Sequence, residues 1–256
     1  MKFSPSEARV LKADYDRDGY VALRGFLDAD ALQALKINLQ RYIDEVAPSL
    51  PKEDVFYENK DDPSTLKQLI RMSQNDAFFA DMQNQGDFRD VAEILLGRDV
   101  APQNLQFFNK PAKIGAATPP HQDGYYWMIS PMEGCTMWLA LEDVDEENGC
   151  VRYARGSHRE GVREHGWTET LGFSQGIQDF PTASDQASEV VMRARAGDLL
   201  IHDAMTVHWA DGNSSETRSR QAMGLVYFSD RAQTDEKARE AYKKKLHTTL
   251  QAAGKI

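Results

Sequence analysis

Long apolar runs are missing from this sequence: no window holds about 18 uncharged apolar residues, so nothing in it reads as a membrane span. Its opening stretch has an early lysine but no apolar signal-peptide core, which makes a cytoplasmic location the expectation. Cysteine is scarce. Cys135 and Cys150 alone exclude a disulfide framework and read as reduced thiols in the core or a loop. Basic charge is also short, with 30 Lys and Arg against 40 Asp and Glu, and the resulting net charge of −10 argues against nucleic acid as a partner. Internal repeats, low-complexity tracts and linkers are absent too. Asn213-Ser214-Ser215 has the form of a glycosylation sequon, but without a secretory signal the match has no chemistry behind it.

What is present is a globular composition, 41% hydrophobic and 27% charged over 256 residues, which suits one large domain with one core. "YVALRGF" (Tyr20 to Phe26) reads as a strand. Asp28 then stands where it can N-cap a helix carrying Leu32, Leu35, Leu39, Tyr42, Ile43 and Val46 on one face, closed by Pro48. Residues 49–63 read as a loop, and the following stretch carries two more helical patterns ending at Gly97. From about residue 103 short β-like runs take over: "LQFFN", "YYWMIS", "TMWLALEDV", "CVRYA", "VVMRARAGDLLIHD", "TVHWA" and "RQAMGLVYFS". That spacing predicts a sandwich or barrel. Residues 234–254 return to helix, with Asp235 and Glu236 early and Lys243 to Lys245 late, the order a helix dipole favours. The expected architecture is one α+β domain over 1–256: a mainly helical cover to about 100, a double antiparallel sheet over about 103–230, and a C-terminal helix. Oligomeric state is left open.

Two features carry chemistry. In "TPPHQDGYYW", His121 and Asp123 are two positions apart, and in a strand such residues point to one side and can offer a nitrogen and an oxygen to one metal ion. They can equally be a hydrogen-bonded pair at a strand end. A mononuclear iron(II) site of the oxygenase type needs a second histidine. His208, in "TVHWADGN", and His202, on the preceding strand beside Asp203, both qualify, and periodicity does not choose between them. Arg218 and Arg220 open the last β-run, where a planar guanidinium can hold a carboxylate through two hydrogen bonds or simply lie solvated. Trp138 shares one strand face with Thr136 and Ala140, while Tyr125, Tyr126 and Trp127 can wall a substrate pocket or pack beneath the helices. "GSH" at Gly156 to His158 reads as a turn, and His165 and His247 as solvated.

The order of these pieces, "TPPHQDGYYW", then "MWLALEDVDEENGCVRYARGSH", then "AGDLLIHDAMTVHWADGNSSETRSRQA", resembles the phytanoyl-CoA dioxygenase family of iron(II)- and 2-oxoglutarate-dependent oxygenases. "DGYVALRGFLDADALQAL" and the segment around "LKQLIRMSQNDAFFADM" extend the likeness into the N-terminal half. The resemblance implies a double-stranded β-helix, or cupin-like jelly-roll, with the flanking helices packed on one sheet. It maps the metal ligands to His121, Asp123 and His208, and the 2-oxoglutarate anchor to Arg220, with Arg218 as a second choice on the same strand face. Trp138, Gln106 and Lys67 match further co-substrate positions.

By the same resemblance the chain would bind Fe(II), 2-oxoglutarate and O2 and hydroxylate an unactivated C–H bond of a small organic molecule, releasing succinate and CO2. Related halogenases have a small residue at the carboxylate position, so Asp123 makes hydroxylation the default, with desaturation or ring closure open to the same chemistry. The rival readings are a cupin-type metal-dependent hydrolase or isomerase, and a non-catalytic ligand-binding β-sandwich.

Overall fold

A computed structural model describes residues 3–168, 170 and 175–252. Its N-terminal part runs α1 (Pro5–Asp18), β1 (Tyr20–Leu23), α2 (Ala29–Arg41), β2 (Val55–Tyr57), β3 (Leu66–Leu69), α3 (Met72–Asn75), α4 (Ala77–Asn84) and α5 (Asp87–Leu96). Then come β4 (Val100–Lys110), β5 (Thr118–His121), the short α6 (Gly124–Trp127), β6 (Ile129–Ser130), β7 (Gly134–Ala140), β8 (Val151–Ala154), β9 (His165–Trp167) and β10 (Gln175–Ile177). The chain continues through α7 (Ala183–Ser188), β11 (Glu189–Met192), β12 (Leu199–Asp203), β13 (His208–Ala210), β14 (Arg220–Ser229), β15 (Gln233–Thr234) and α8 (Glu236–Ala252). The expected helix end at 253–254 lies outside the described residues, as does the side chain of His247.

Two antiparallel sheets face each other. The larger has the order β1-β12-β7-β14-β4-β3-β2 and the smaller β11-β8-β13-β5. Strand alternation divides every central strand of the larger sheet between two cores. On β7, Cys135, Met137 and Leu139 point outward into a core shared with Leu35 and Leu39 of α2, Phe79 of α4 and Val91 and Leu95 of α5. Trp138 and Ala140 point inward with Leu200 and Ala222, meeting Val151, Tyr153 and Met192 of the smaller sheet. This is the jelly-roll, an α+β fold, with α1, α2, α4 and α5 on one sheet, whereas Tyr242 of α8 meets Tyr126 instead.

Local signals account for the helical cover. Asp28 caps α2, accepting the Ala31 amide at 2.9 Å, and Gly97 ends α5 at a φ of 71°, which only glycine adopts without strain. The residues after Arg41 widen into a π turn over Tyr42–Val46 and tighten into a 3-10 turn around Pro48.

Two N-terminal segments differ from the sequence reading. Residues 55–57 and 66–69 are strands rather than loop and helix, and they extend the larger sheet beyond β4. "LKQL" is buried at all four positions, so it lacks the alternation that marks a half-buried strand. Conversely, "YYW" is a helical turn, not a strand, because the chain reverses after Asp123.

Leu139 is fully buried in the strand both cores share. Leu139→Ala should cost about 2–5 kcal/mol, read as a lower urea midpoint at unchanged slope; a loss below about 1 kcal/mol would contradict this packing.

Candidate metal centre and its cavity

His121 closes β5 and His208 opens β13, and the antiparallel register sets them directly opposite each other. Their rings lie 4.1 Å apart between centroids. In each, Nδ1 meets a backbone carbonyl two residues earlier: Pro119 O at 2.8 Å for His121 and Thr206 O at 2.9 Å for His208. A carbonyl oxygen only accepts, so both Nδ1 atoms carry a proton and Nε2 is the atom each ring has left to offer a metal. Asp123 Oδ1 faces them, 3.3 Å from His121 Nε2 and 3.7 Å from His208 Nε2. Asp123 reaches this point because the chain turns into α6, not by strand alternation, since β5 ends at His121 and Asp123 has helical dihedrals.

Among the described residues His121, Asp123 and His208 form the group able to hold a metal ion, their ligand atoms lying within 4.8 Å of one another. Three electron-rich atoms converging in a buried place repel one another unless a cation lies between them, so the donor set fits a divalent metal. Protonation favours the same use. Burial, reinforced by the neighbouring His121 and His202 rings, holds His208 well below the ordinary imidazole range and therefore neutral. Burial alone would protonate Asp123, but the imidazoles of His208, His121 and His202 reverse this and keep the carboxylate ionised.

His202 faces the cluster from β12, its Nε2 3.2 Å from Asp123 Oδ2, behind the atom that faces the other two histidines. It bonds to this carboxylate rather than to the neighbouring Asp203. His165, read as solvated, is buried, flat against Tyr125 at 4.1 Å, and its Nε2 accepts the Gln122 amide. His158 lies in the turn after Gly156, with Nε2 3.1 Å from Asp16 O.

A cavity of about 250 Å³ opens between the sheets beside the three residues. Its far end is cationic. Arg220 begins β14 opposite Lys110 of β4, is 5% exposed, and lies over the Trp138 ring at 5.3 Å. Burial lowers its guanidinium to about 10, so it stays charged, yet Nε has no hydrogen-bond partner among the described residues. Lys67 reaches the cavity paired with Glu58 at 3.1 Å, and Gln106 accepts from Gln68 at 3.1 Å. Of the three consecutive aromatics, Tyr126 lines the cavity, its hydroxyl held by Gln175 O at 2.5 Å, while Trp127 packs on Phe228. Arg218 is a correction. It precedes β14 rather than sharing its face, and its guanidinium pairs with Asp145 at 2.8 Å and with Glu147, away from the cavity.

Lys110 escaped the sequence reading, although it continues the alternation of Gln106 and Phe108 toward the cavity. Its Nζ donates to Asp211 O at 2.6 Å, tying β4 to the turn after His208. Asn213, the asparagine of the sequon, is buried and donates to Lys110 O and Arg218 O.

The fold and this site define a class: a double-stranded β-helix presenting two histidines and one carboxylate beside a cavity that ends in a buried arginine. The chain belongs to the phytanoyl-CoA dioxygenase (PhyH) family, whose model matches residues 15–222. Relatives include a phytanoyl-CoA dioxygenase domain-containing protein 1 homolog of Dictyostelium discoideum, 23% identical over 84% of this chain and 89% of its own length. Another is the 1-deoxypentalenic acid 11-beta-hydroxylase of Streptomyces arenae, 26% identical over 86% of this chain and 80% of its own. Among solved structures, the epimerase SnoN in complex with Fe3+, alpha ketoglutarate and nogalamycin RO superposes with a TM-score of 0.72 at 24% identity, covering 90% of this chain and 86% of that one. EctD from S. alaskensis with bound Fe does so at 0.73 and 20%, covering 91% and 79%.

Burial, then the like charges of Arg220 and Lys67, pushes the Lys110 ammonium down to about 6. Its folded value lies below its unfolded one, so the unfolded chain binds the extra proton between these values and the penalty on folding grows as pH falls from about 10 to 6. Lys110→Met should therefore gain urea resistance relative to the parent chain as pH is lowered through that window; parallel stability curves would refute the assignment.

Proposed function

We propose that the chain is an Fe(II)- and 2-oxoglutarate-dependent dioxygenase that hydroxylates an unactivated C–H bond of a small organic substrate in the cytoplasm. The observation that carries this reading is the convergence of His121 Nε2, His208 Nε2 and Asp123 Oδ1 on one wall of a cavity whose opposite end holds Arg220. His121, Asp123 and His208 would hold the metal ion beside the cavity. Bound iron(II), with 2-oxoglutarate and O2, supplies the oxidising power for hydroxylation and releases succinate and CO2.

The protein's part is placement. Arg220 takes the far carboxylate of 2-oxoglutarate, Trp138 supports the guanidinium and flanks the co-substrate, and Gln106 and Lys67 complete its polar surroundings. Tyr126 lies on the substrate side, near His121. The apolar walls of Phe108, Val151 and Trp209 limit water around the reacting centre. The cavity is smaller than the roughly 300–1,000 Å³ of common ligand sites, which favours a small metabolite over a bulky acyl chain. Two free buried thiols fit a reducing compartment. Among the described residues no helix is long and apolar enough to cross a membrane. In the rival readings, a hydrolase or a binding sandwich, Arg220 and Trp138 would have no co-substrate to hold.

Oxygen-dependent conversion of 2-oxoglutarate to succinate by the iron-loaded chain tests the function. Activity should vanish in His121→Ala and His208→Ala. In Arg220→Met the Kd for 2-oxoglutarate, read by calorimetry without oxygen, should rise about 10–100-fold, the worth of a charge-assisted carboxylate clamp of about 1.4–2.8 kcal/mol. Metal-independent turnover, or unchanged affinity in Arg220→Met, would overturn the assignment.

A further inference from the structure

Asp123 sits between the two sheets, and its two oxygens are treated differently. Oδ1 faces the Nε2 atoms of His121 and His208. Oδ2 is held from behind, by the Thr136 hydroxyl at 2.5 Å and by His202 Nε2 at 3.2 Å. Thr136 and His202 are cross-strand partners on β7 and β12, so adjacent strands of the larger sheet aim two donors at one oxygen. On the far side of the His202 ring, Nδ1 lies 3.0 Å from the Tyr153 hydroxyl of β8. All of these groups are buried except the partly exposed Asp123.

Hydrogen-bond bookkeeping fixes the donors to Oδ2. An ionised carboxylate only accepts, so the 3.2 Å contact from His202 Nε2 is a hydrogen bond with the proton on Nε2, and the Thr136 hydroxyl is the second donor. The Tyr153 hydroxyl, 3.0 Å from Nδ1, steadies the other side of the ring. The same accounting shows why His202 stands beside the cluster without joining it, since its inward nitrogen has spent its lone pair on a proton.

We propose that His202, held by Tyr153, is a positioning residue of the centre: with Thr136 it occupies Oδ2 and confines Asp123 to binding the metal through Oδ1. A carboxylate free to swing could present both oxygens to the ion and take up a position needed by co-substrate or oxygen; this one is pinned. The inference rests on the metal assignment made above and deepens it by adding a second ring of residues, drawn from both sheets.

Anaerobic titration of the full chain with Co(II), a spectroscopic stand-in for Fe(II), tests the inference through affinity and visible spectrum, apart from turnover. His202→Leu should weaken Co(II) binding about 10–100-fold and change its ligand-field bands. His202→Gln, which returns an N–H donor to the same place, should recover most of the affinity and the parent spectrum. Tyr153→Phe leaves His202 in place but removes the hydrogen bond that steadies its ring, and should fall between. Parent-like Co(II) affinity and spectrum in both His202→Leu and Tyr153→Phe would overturn the proposal, as would a His202→Gln variant no better than His202→Leu. Should His202→Leu not fold, Tyr153→Phe and His202→Gln decide by the same readouts. If His121→Ala and His208→Ala also bind Co(II) like the parent chain, the metal assignment itself falls; if they lose it, only the positioning role is at stake.

Discussion

The structure turns on a carboxylate that has to stay charged inside a protein. Asp123 is pulled from water between two sheets, where an isolated anion would take up a proton. It stays ionised because donors and imidazoles reach it from β5, β7, β12 and β13 together. No single strand could supply that set. The carboxylate is thus a reason for the two sheets to keep their spacing and register, and any slip of β13 against β5 would move His208 away from it. A metal at this place needs the Nε2 lone pairs of His121 and His208, and the backbone carbonyls that hold both Nδ1 atoms leave Nε2 free for that use.

The cavity is electrically polarised by a second burial problem at its other end. Arg220 and Lys110 start and end neighbouring strands, both nearly closed to water. The two cations respond differently. The guanidinium is too basic to give up its proton and keeps its charge, while the ammonium is brought near neutrality and held by backbone carbonyls. One buried charge therefore remains, on a side chain braced by Trp138 whose Nε has no hydrogen-bond partner among the described residues. An anionic ligand reaching from the three-residue cluster to Arg220 relieves that charge, which is the requirement a dicarboxylate with one end at a metal meets.

Much of this was legible in the sequence, and what was not has physical causes. The helix from Asp28, the stop at Gly97 and the strands of the core rest on local signals, caps and alternation, that survive in isolation. The order of His121, Asp123, Trp138, His208 and Arg220 was legible because each sits at an element end or on a regular inward face. β3 was not, since a strand buried on both faces has no alternation to read. The network through Thr136, His202 and Tyr153 was not either. It joins residues from three strands of two sheets, and only the register of those strands says which face which. His202 against His208 was undecidable from spacing because both point at Asp123; what separates them is that His208 faces Oδ1 opposite His121 while His202 bonds Oδ2 from behind, a difference set by strand register.

The run Tyr125-Tyr126-Trp127 shows how one turn allots roles. In a strand the outer pair would share a face and the middle residue would oppose them. In a helical turn successive side chains diverge by about 100°, so three neighbours reach three environments. Tyr125 stacks on His165, whose Nε2 in turn takes the Gln122 amide between His121 and Asp123; Tyr126 enters the cavity; Trp127 packs against Phe228. The turn that delivers Asp123 to the centre therefore also fixes the aromatics beside it. Placing the carboxylate and shaping the cavity wall beside it are one conformational decision, taken where β5 ends and the chain winds into α6.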